Sequence, residues 1–494
     1  MKRDLKRLAE EQFDLLVIGG GITGICVARD AALRGLNVAL IEENDFAHAT
    51  SAHNSRLIHG GLRYLRNFEF GLVRESLRER RIWLRIAPDY VHPLPFLLPL
   101  YKTGWKARAM LSAGLFLYDL LAFDRGRLDD PAQRLAGHRW LDPKAALENE
   151  PVLEGDGFDG AFEYYDAQMP SPERLALACA MDAATNGAVL ANHLCADGLL
   201  LRDGRAEGAR AADALGDAQF DVRAKMTLIA AGPWADLFLA SVLGKPASHR
   251  LMRSKGIHLV VPAMTRSYAL TVAANGGHFF VLPWLGHSLI GTTDAPFEGA
   301  PDDVAVTDAD VGGLLDIVNA NLPSVRLRRQ DVRHSYAGLR PLLADGGSST
   351  YVASRRAELI DHGRDDGVSG LFSAIGGKWT TSRHLAEQAV DAVVARLGRP
   401  ARACATAVSK IPVAKVADGA GADAQVLAAV GHEMALTLDD VVMRRTGAGL
   451  LGNPGAAMLE QMSRTMAAEL GWDEARRTAE MAVVQTNFRM EARA

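Results

Sequence analysis

Cysteine is scarce in this sequence: Cys26, Cys179, Cys195 and Cys404 are the four among 494 residues. They are too few and too scattered for a disulfide framework or a zinc site, which points to a reducing, cytoplasmic setting. No uninterrupted apolar run reaches the ~18 residues of a membrane-spanning helix. The opening MKRDLKRLAEEQ lacks the apolar stretch of a secretory signal. An excess of one charge is missing too: 55 Lys and Arg against 59 Asp and Glu leave a formal net of −4. That balance excludes the strongly basic face of a dedicated nucleic-acid binder. Repeats and low-complexity tracts are absent, and 48% hydrophobic with 23% charged residues excludes a disordered or fibrous chain. At roughly 100–200 residues per domain, the length predicts about three domains.

One stretch breaks the charge balance. Residues 74–127 hold ten Lys and Arg against five Asp and Glu, a net of +5, with Pro93, Pro95 and Pro99 around Phe96-Leu97-Leu98. Within it, residues 109–123 (AMLSAGLFLYDLLAF) are apolar but short, and carry Asp119. Two readings stand: a core helix beside a solvated arginine face, or a monotopic contact with a membrane surface.

The clearest element lies near the start. Residues 13–18 (FDLLVI) read as a buried strand broken at Gly19-Gly20-Gly21; a helix follows over 22–33, closed by Gly35, and a second strand over 37–41 ends on Glu42. This βαβ unit of about 30 residues is the size of a dinucleotide site. Gly19-x-Gly21-x-x-Gly24 sits between strand and helix, where glycines allow the tight turn and let backbone N–H groups approach a pyrophosphate. Glu42, 18 residues beyond Gly24, is placed to accept hydrogen bonds from ribose hydroxyls, and no basic residue beside it favours a 2′-phosphate. The motif does not itself separate FAD from NAD. A second glycine-bearing strand at Ile229-Ala230-Ala231-Gly232 and a strand–Gly–Gly–helix unit over 371–390 favour FAD, whose extended shape needs contacts from several segments.

Elsewhere the pattern predicts a helix over 172–184 after Ser171, a strand over 226–231 turning into a helix over 234–243, and a helix over 308–320. Residues 256–294 alternate short strands with turns, as an antiparallel sheet does. Residues 400–424 read as a linker and the chain from 425 as helical. The expected class is α/β: a Rossmann-type FAD-binding domain, an antiparallel-sheet substrate domain and a small C-terminal helical domain. The segments assigned are 10–75, 160–245 and 365–398 to the first, 76–159 and 246–364 to the second, and 399–494 to linker and helices.

Several motifs are more specific than any glycine fingerprint. DLLVIGGGITG (14–24), SRLIHGGLRYL (55–65), LIAAGPWAD (228–236), SKGIHLVVP (254–262), PWLGHSLIGTTD (283–294), YAGLRPL (336–342), GGKWTTSRHLAE (376–387) and HEMALTLDDVVMRRT (432–446) occur in this order. With them the chain resembles the FAD-dependent glycerol-3-phosphate dehydrogenase family, within the D-amino-acid-oxidase-like flavoenzymes, over nearly its whole length. The resemblance implies that Glu42 and Glu43 hold the adenosine ribose beside the turn of Gly19, Gly21, Ile22, Thr23 and Gly24. Thr50, Ser51 and Ser55 would follow the pyrophosphate and ribityl chain. His59, Gly60, Gly61, Ala231, Gly232, Gly377, Lys378, Trp379 and Thr380 would complete the cofactor site. His59, Arg63, Tyr64, His258 and Arg340 would be catalytic, with Arg63, Tyr64, Arg340, Arg355 and Lys378 binding the substrate. It implies further a glycerol 3-phosphate substrate, a quinone acceptor, peripheral contact with the inner face of the cell membrane, and a homodimer. Departures from the family pattern fall at TSAHNSR (50–56), where members carry a serine-rich stretch ending in Lys, at Met169-Pro170-Ser171-Pro172, and in a shortened segment over 410–426.

The residue types suit such chemistry on their own. A doubly anionic substrate needs fixed cations, arginine binding phosphate in bidentate fashion and lysine as a point charge. Oxidising a secondary alcohol needs the hydroxyl proton removed as hydride leaves C2 for flavin N5. A histidine takes that proton, and adjacent cations stabilise a developing alkoxide. The residues alone leave open a paralogous oxidase acting on another anionic alcohol or an amine, and a flavin-binding module without turnover.

Overall fold

The computed structural model describes residues 1–274, 277–343, 356–413 and 421–488. Five parallel strands form the centre of the first sheet, in the order Leu371–Gly376, Gln219–Ile229, Gln12–Ile18, Val38–Ile41 and Val189–Ala191. Gln12–Ile18 lies in the middle and is buried at every position after Gln12, which is why it reads as a near-continuous apolar run. The helices Ile22–Leu33, Pro172–Thr185 and Ser382–Leu397 lie side by side on this sheet and share one core with it. The strand Gln219–Ile229 starts seven residues before the expected position 226. Its first half alternates, with Val222 and Ala224 buried and Arg223 and Lys225 exposed, and it pairs there with the hairpin Leu194–Arg202/Arg205–Asp213. That hairpin turns on Asp203 and Gly204, both at positive φ (49° and 72°), as two-residue hairpin turns require.

Among the described residues the second sheet has ten mostly antiparallel strands. Its long members are Leu251–Pro262, which pairs with His287–Gly291 and His334–Leu343, and His92–Tyr101, which pairs with Phe158–Gln168. The helix Asp308–Asn321, capped by a reciprocal Thr307–Asp310 box, covers one face. Three strands fall across the expected segment limits. Leu57–Ile58 and Phe158–Gln168 pair within this sheet rather than with the nucleotide unit, and Ala357–Asp361 edges the first sheet. The stretch with Pro93, Pro95 and Pro99 is a strand. Its prolines fall on one alternating set of positions, and Pro is tolerated where the ladder needs no donor.

The apolar helix runs Trp105–Leu121 and is not a core helix. It buries only Leu115 and Tyr118 and leaves Trp105, Met110, Phe116 and Leu120 between 58% and 75% exposed. At the C-terminal end, Ala422–Glu433, Asp440–Arg445, Ala456–Leu470 and Glu474–Asn487 close on their own core, which includes Val426, Leu438, Leu459, Met462 and Val484. No described helix is long and apolar enough to cross a membrane.

Candidate active site

A single cavity of about 1060 Å³ runs from the first glycine turn to the second sheet. At one end the strand Gln12–Ile18 delivers the chain into Gly19, whose φ of +109° and contact with the Ala230 carbonyl leave no room for a side chain. A Cβ on Gly24 would sit 1.9 Å from the Gly19 carbonyl oxygen, so glycine there is a packing requirement. The helix Ile22–Leu33 begins at Gly21 without a side-chain cap. Its first turn, Gly21, Ile22 and Thr23, lines the cavity with the positive end of the helix, the arrangement that receives a pyrophosphate. Ser51 Oγ accepts the Ile22 N–H at 2.9 Å. Glu42 stands behind the turn: one carboxylate oxygen accepts the Gly20 N–H, the other the Asn44 N–H at 2.9 Å. Burial raises its pKa against those two bonds. Glu43 is exposed.

The middle of the cavity is built by the loop His59-Gly60-Gly61. His59 N–H donates to Thr380 Oγ1 at 3.1 Å, and Trp379 Nε1–H to the Ser51 carbonyl at 3.0 Å, so the GGKWTT segment ties both loops together. Gly60 N–H donates to Tyr118 Oη at 3.0 Å and to Asp166 Oδ1 at 3.1 Å. The Tyr118 hydroxyl also donates to Asp166, and Arg80 pairs with that carboxylate. A Cβ on Gly61 would lie 2.3 Å from the Tyr64 ring, so this glycine seats the tyrosine.

Cations gather at the far end. Lys378 Nζ donates to Ser76 Oγ at 2.7 Å and lies 4.4 Å from the Tyr64 ring centroid; the Arg63 guanidinium lies 5.0 Å from the same ring. Arg340 donates to Ser254 Oγ at 3.2 Å and to the Thr293 carbonyl at 3.2 Å, and fills the space beside Gly256, where a Cβ would meet it at 2.3 Å. His59 shares the cavity wall with all three. Burial first, then Lys378 and Arg63, hold its imidazole well below the usual histidine range, so it is neutral at pH 7.

The expected residues therefore divide. Gly21, Ile22, Thr23, Thr50, Ser51, Ser55, His59, Gly61, Arg63, Tyr64, Gly232, Arg340, Gly377, Lys378, Trp379 and Thr380 line the cavity. Gly19, Gly24, Glu42, Glu43, Gly60, Ala231 and His258 do not. His258 lies in the strand Leu251–Pro262, 2% exposed, with Ser55 Oγ 2.9 Å from its Nε2, and lines a small adjoining pocket together with Thr50 and Arg340. Arg355 falls outside the described residues. Sequence reasoning missed His278, Asp166, Thr292 and Asp294, all on the cavity wall. His278 had a signal: it alternates with Phe280, also on the wall, along the strand Gly277–Trp284. The two early departures from the family pattern meet in space. Arg56 turns away from the cavity, pairs with Glu173 at 3.2 Å, donates to the Pro170 carbonyl at 2.9 Å and stacks on Trp284 at 4.3 Å.

Comparison with known proteins identifies the family. Residues 14–392 match the family described as FAD dependent oxidoreductase, and residues 367–477 match the C-terminal domain of alpha-glycerophosphate oxidase. A glycerol-3-phosphate dehydrogenase of Synechocystis sp. is 36% identical over 537 aligned positions, covering 96% of this chain and 95% of that protein. Glycerol-3-phosphate dehydrogenase 2 of Mycobacterium tuberculosis is 40% identical over 410, covering 82% of this chain and 67% of that one. The crystal structure of the glycerol-3-phosphate dehydrogenase from Bacillus halodurans complexed with FAD superposes with a TM-score of 0.78 at 28% identity, covering 98% of this chain and 96% of that one. A glycine oxidase from Bacillus cereus (TM-score 0.55, 20% identity, 78% and 98% covered) shares the fold alone.

Proposed function

The chain belongs to the FAD-dependent glycerol-3-phosphate dehydrogenase family, and from that premise we propose that it oxidises sn-glycerol 3-phosphate to dihydroxyacetone phosphate. The observation that carries this reading is the shared wall: Arg63, Arg340, Lys378 and His59 face one cavity that begins at the glycine turn. FAD, when bound, supplies the hydride acceptor. Arg63 and Lys378, held on the two contacts with Tyr64, offer the substrate phosphate two cations, and Arg340 offers a third from the second sheet. His59 accepts the C2 hydroxyl proton, being neutral and on the wall. Its cationic neighbours stabilise the alkoxide that develops as the proton leaves. His258 acts through Ser55 as a positioning residue.

A membrane quinone is the proposed electron acceptor. The same cavity continues along an apolar wall of Leu62, Leu65, Phe68, Phe70, Met110 and Leu111 to the exposed face of the helix Trp105–Leu121. Lys106 and Arg108 lie on that helix and Lys102, Arg125 and Arg127 flank it in the chain, and a basic residue near an anionic membrane surface is worth about 1 kcal/mol. The test is a substrate panel scored by loss of the flavin's visible absorbance without oxygen. Glycerol 3-phosphate should bleach the protein, with glycerol and glycine far slower; bleaching by glycine or by glycerol alone overturns the assignment.

A further inference from the structure

The loop that follows the second strand, residues 42–48, is held from two sides. On one side it clasps the glycine turn. Glu42 accepts the Gly20 N–H, Ala47 N–H donates to the Gly20 carbonyl at 2.9 Å, and Phe46, 1% exposed, packs so closely that a Cβ on Gly20 would meet its ring at 2.9 Å. On the other side Asp45, 1% exposed, is gripped by the C-terminal helices. Arg445 Nη1 and Nη2 reach its two oxygens at 2.6 and 2.8 Å, and Arg444 Nε lies at 2.5 Å. Asn192 bridges the contact, donating to Asp45 Oδ1 at 2.8 Å and to the Met434 carbonyl at 3.0 Å.

The grip is itself braced. Arg444 also pairs with Asp439 at 2.7 Å and Asp440 at 3.1 Å, and His193 Nε2 sits 3.0 Å from Asp440 Oδ2. Arg445 Nε–H donates to the Glu433 carbonyl at 3.1 Å, and Glu433 pairs with Arg174 at 2.6 Å. Asp45, Asp440 and His193 gather closely enough to suggest a metal site, but the two guanidinium groups already answer the carboxylates. Buried ion pairs of this kind add little net stability compared with apolar packing, and their best-attested use is to fix one geometry. The geometry fixed here is that of the loop bearing Glu42, packed against the glycine turn that would receive the dinucleotide part of FAD.

We infer that Asp45, Arg444 and Arg445 are positioning residues for FAD, through which the C-terminal helices hold the adenosine end of the cofactor site in shape. The inference rests on FAD occupying the cavity, and not on the identity of the substrate. Cofactor binding and the order of the C-terminal helices are then linked, and linkage is reciprocal.

The test measures FAD affinity directly. Apo-protein is titrated with FAD and followed by flavin fluorescence for wild type, Arg445→Gln, and Arg477→Gln as control. Arg477 pairs with Glu460 and Glu474 in the same helices and, among the described residues, makes no bond to the loop. Arg445→Gln should raise the Kd for FAD about 5- to 150-fold, the span of ordinary intersite linkage. Its kcat at saturating FAD should stay within about twofold, and Arg477→Gln should bind FAD as wild type does. A Kd for Arg445→Gln within about twofold of wild type overturns the inference, as does an equal loss in the control, which would mark general loosening. Should Arg445→Gln not fold, the wild-type protein decides. Adding FAD to apo-protein should slow amide exchange over residues 436–446, and exchange there unchanged by FAD overturns the inference.

Discussion

Replacing Lys378 with Met separates charge from shape at the proposed phosphate site. Methionine keeps an unbranched aliphatic side chain of similar length and removes the ammonium group 4.4 Å from the Tyr64 ring. Ser76, the hydroxyl partner of Lys378, is not stranded by the change, because its own hydrogen already goes to the Leu72 carbonyl at 2.7 Å. The loss is therefore one charge-assisted contact to the substrate, about 1.5–3 kcal/mol, or about tenfold to a hundredfold in kcat/KM for glycerol 3-phosphate. Glycerol lacks the phosphate and should lose far less. The assay is steady-state turnover of both alcohols with a soluble dye acceptor, alongside the flavin content of each preparation. A second signature accompanies the first. After burial, the Lys378 charge does most to hold His59 low, so the acidic limb of the pH profile should shift upward when it is gone. An equal loss for both alcohols, or a variant that has shed its flavin, would refute the phosphate assignment.

Further outcomes follow from the same geometry. Gly24→Ala forces a Cβ to within 1.9 Å of the Gly19 carbonyl and should yield protein that no longer retains FAD, read from the absorbance ratio of the purified material. His53 is held down to about 3 and His334 to about 4, both chiefly by burial, while His59 and His258 lie well below their ordinary value of 6.5. These imidazoles gain protons in the unfolded chain but not in the folded one, so stability should fall as pH drops below about 6.5 toward about 3. Thermal melts across that window check it, and a Tm constant from about pH 7 to about pH 5 contradicts it. Placing Glu at Trp105 and Phe116, both largely exposed, should abolish sedimentation with anionic vesicles while turnover on a soluble dye is retained. Vesicle binding unchanged by the double variant would remove that helix from the membrane reading.

What could be read in advance was local. The strand–glycine–helix unit announced itself because its demands are sequential: an apolar run buried on both faces, then glycines where Cβ atoms would collide, then a helix whose observed limits, Ile22–Leu33, match the expected ones. The cation set was legible through the motifs that carry the resemblance, and the space one member needs is visible afterwards, as Gly256 leaves it for Arg340 across a strand pair. Contacts closed over long chain separations were not legible. Nothing in the sequence around Asp45 points to Arg445, 400 residues on, and Gly60 gives no sign that Tyr118 and Asp166 will meet its N–H. Of the two readings open for the apolar stretch, the structure drops the core helix at Trp105–Leu121. Its apolar content predicts burial, but only Leu115 and Tyr118 are buried, because one face lines the cavity and packs through Leu111 and Leu121 while Trp105, Phe116 and Leu120 stay exposed. The motif around His258 gives its strand but not that Ser55 would stand between it and the large cavity.

The central claim is that this cavity moves one hydride from C2 of glycerol 3-phosphate to bound FAD. The most direct measurement is an anaerobic titration of the purified holoenzyme with sn-glycerol 3-phosphate, following flavin absorbance and dihydroxyacetone phosphate together. The account predicts bleaching that tracks product formation one for one, slowed when the C2 hydrogen is replaced by deuterium. Oxidised flavin that stays unchanged in excess glycerol 3-phosphate, or bleaching without dihydroxyacetone phosphate, would contradict it.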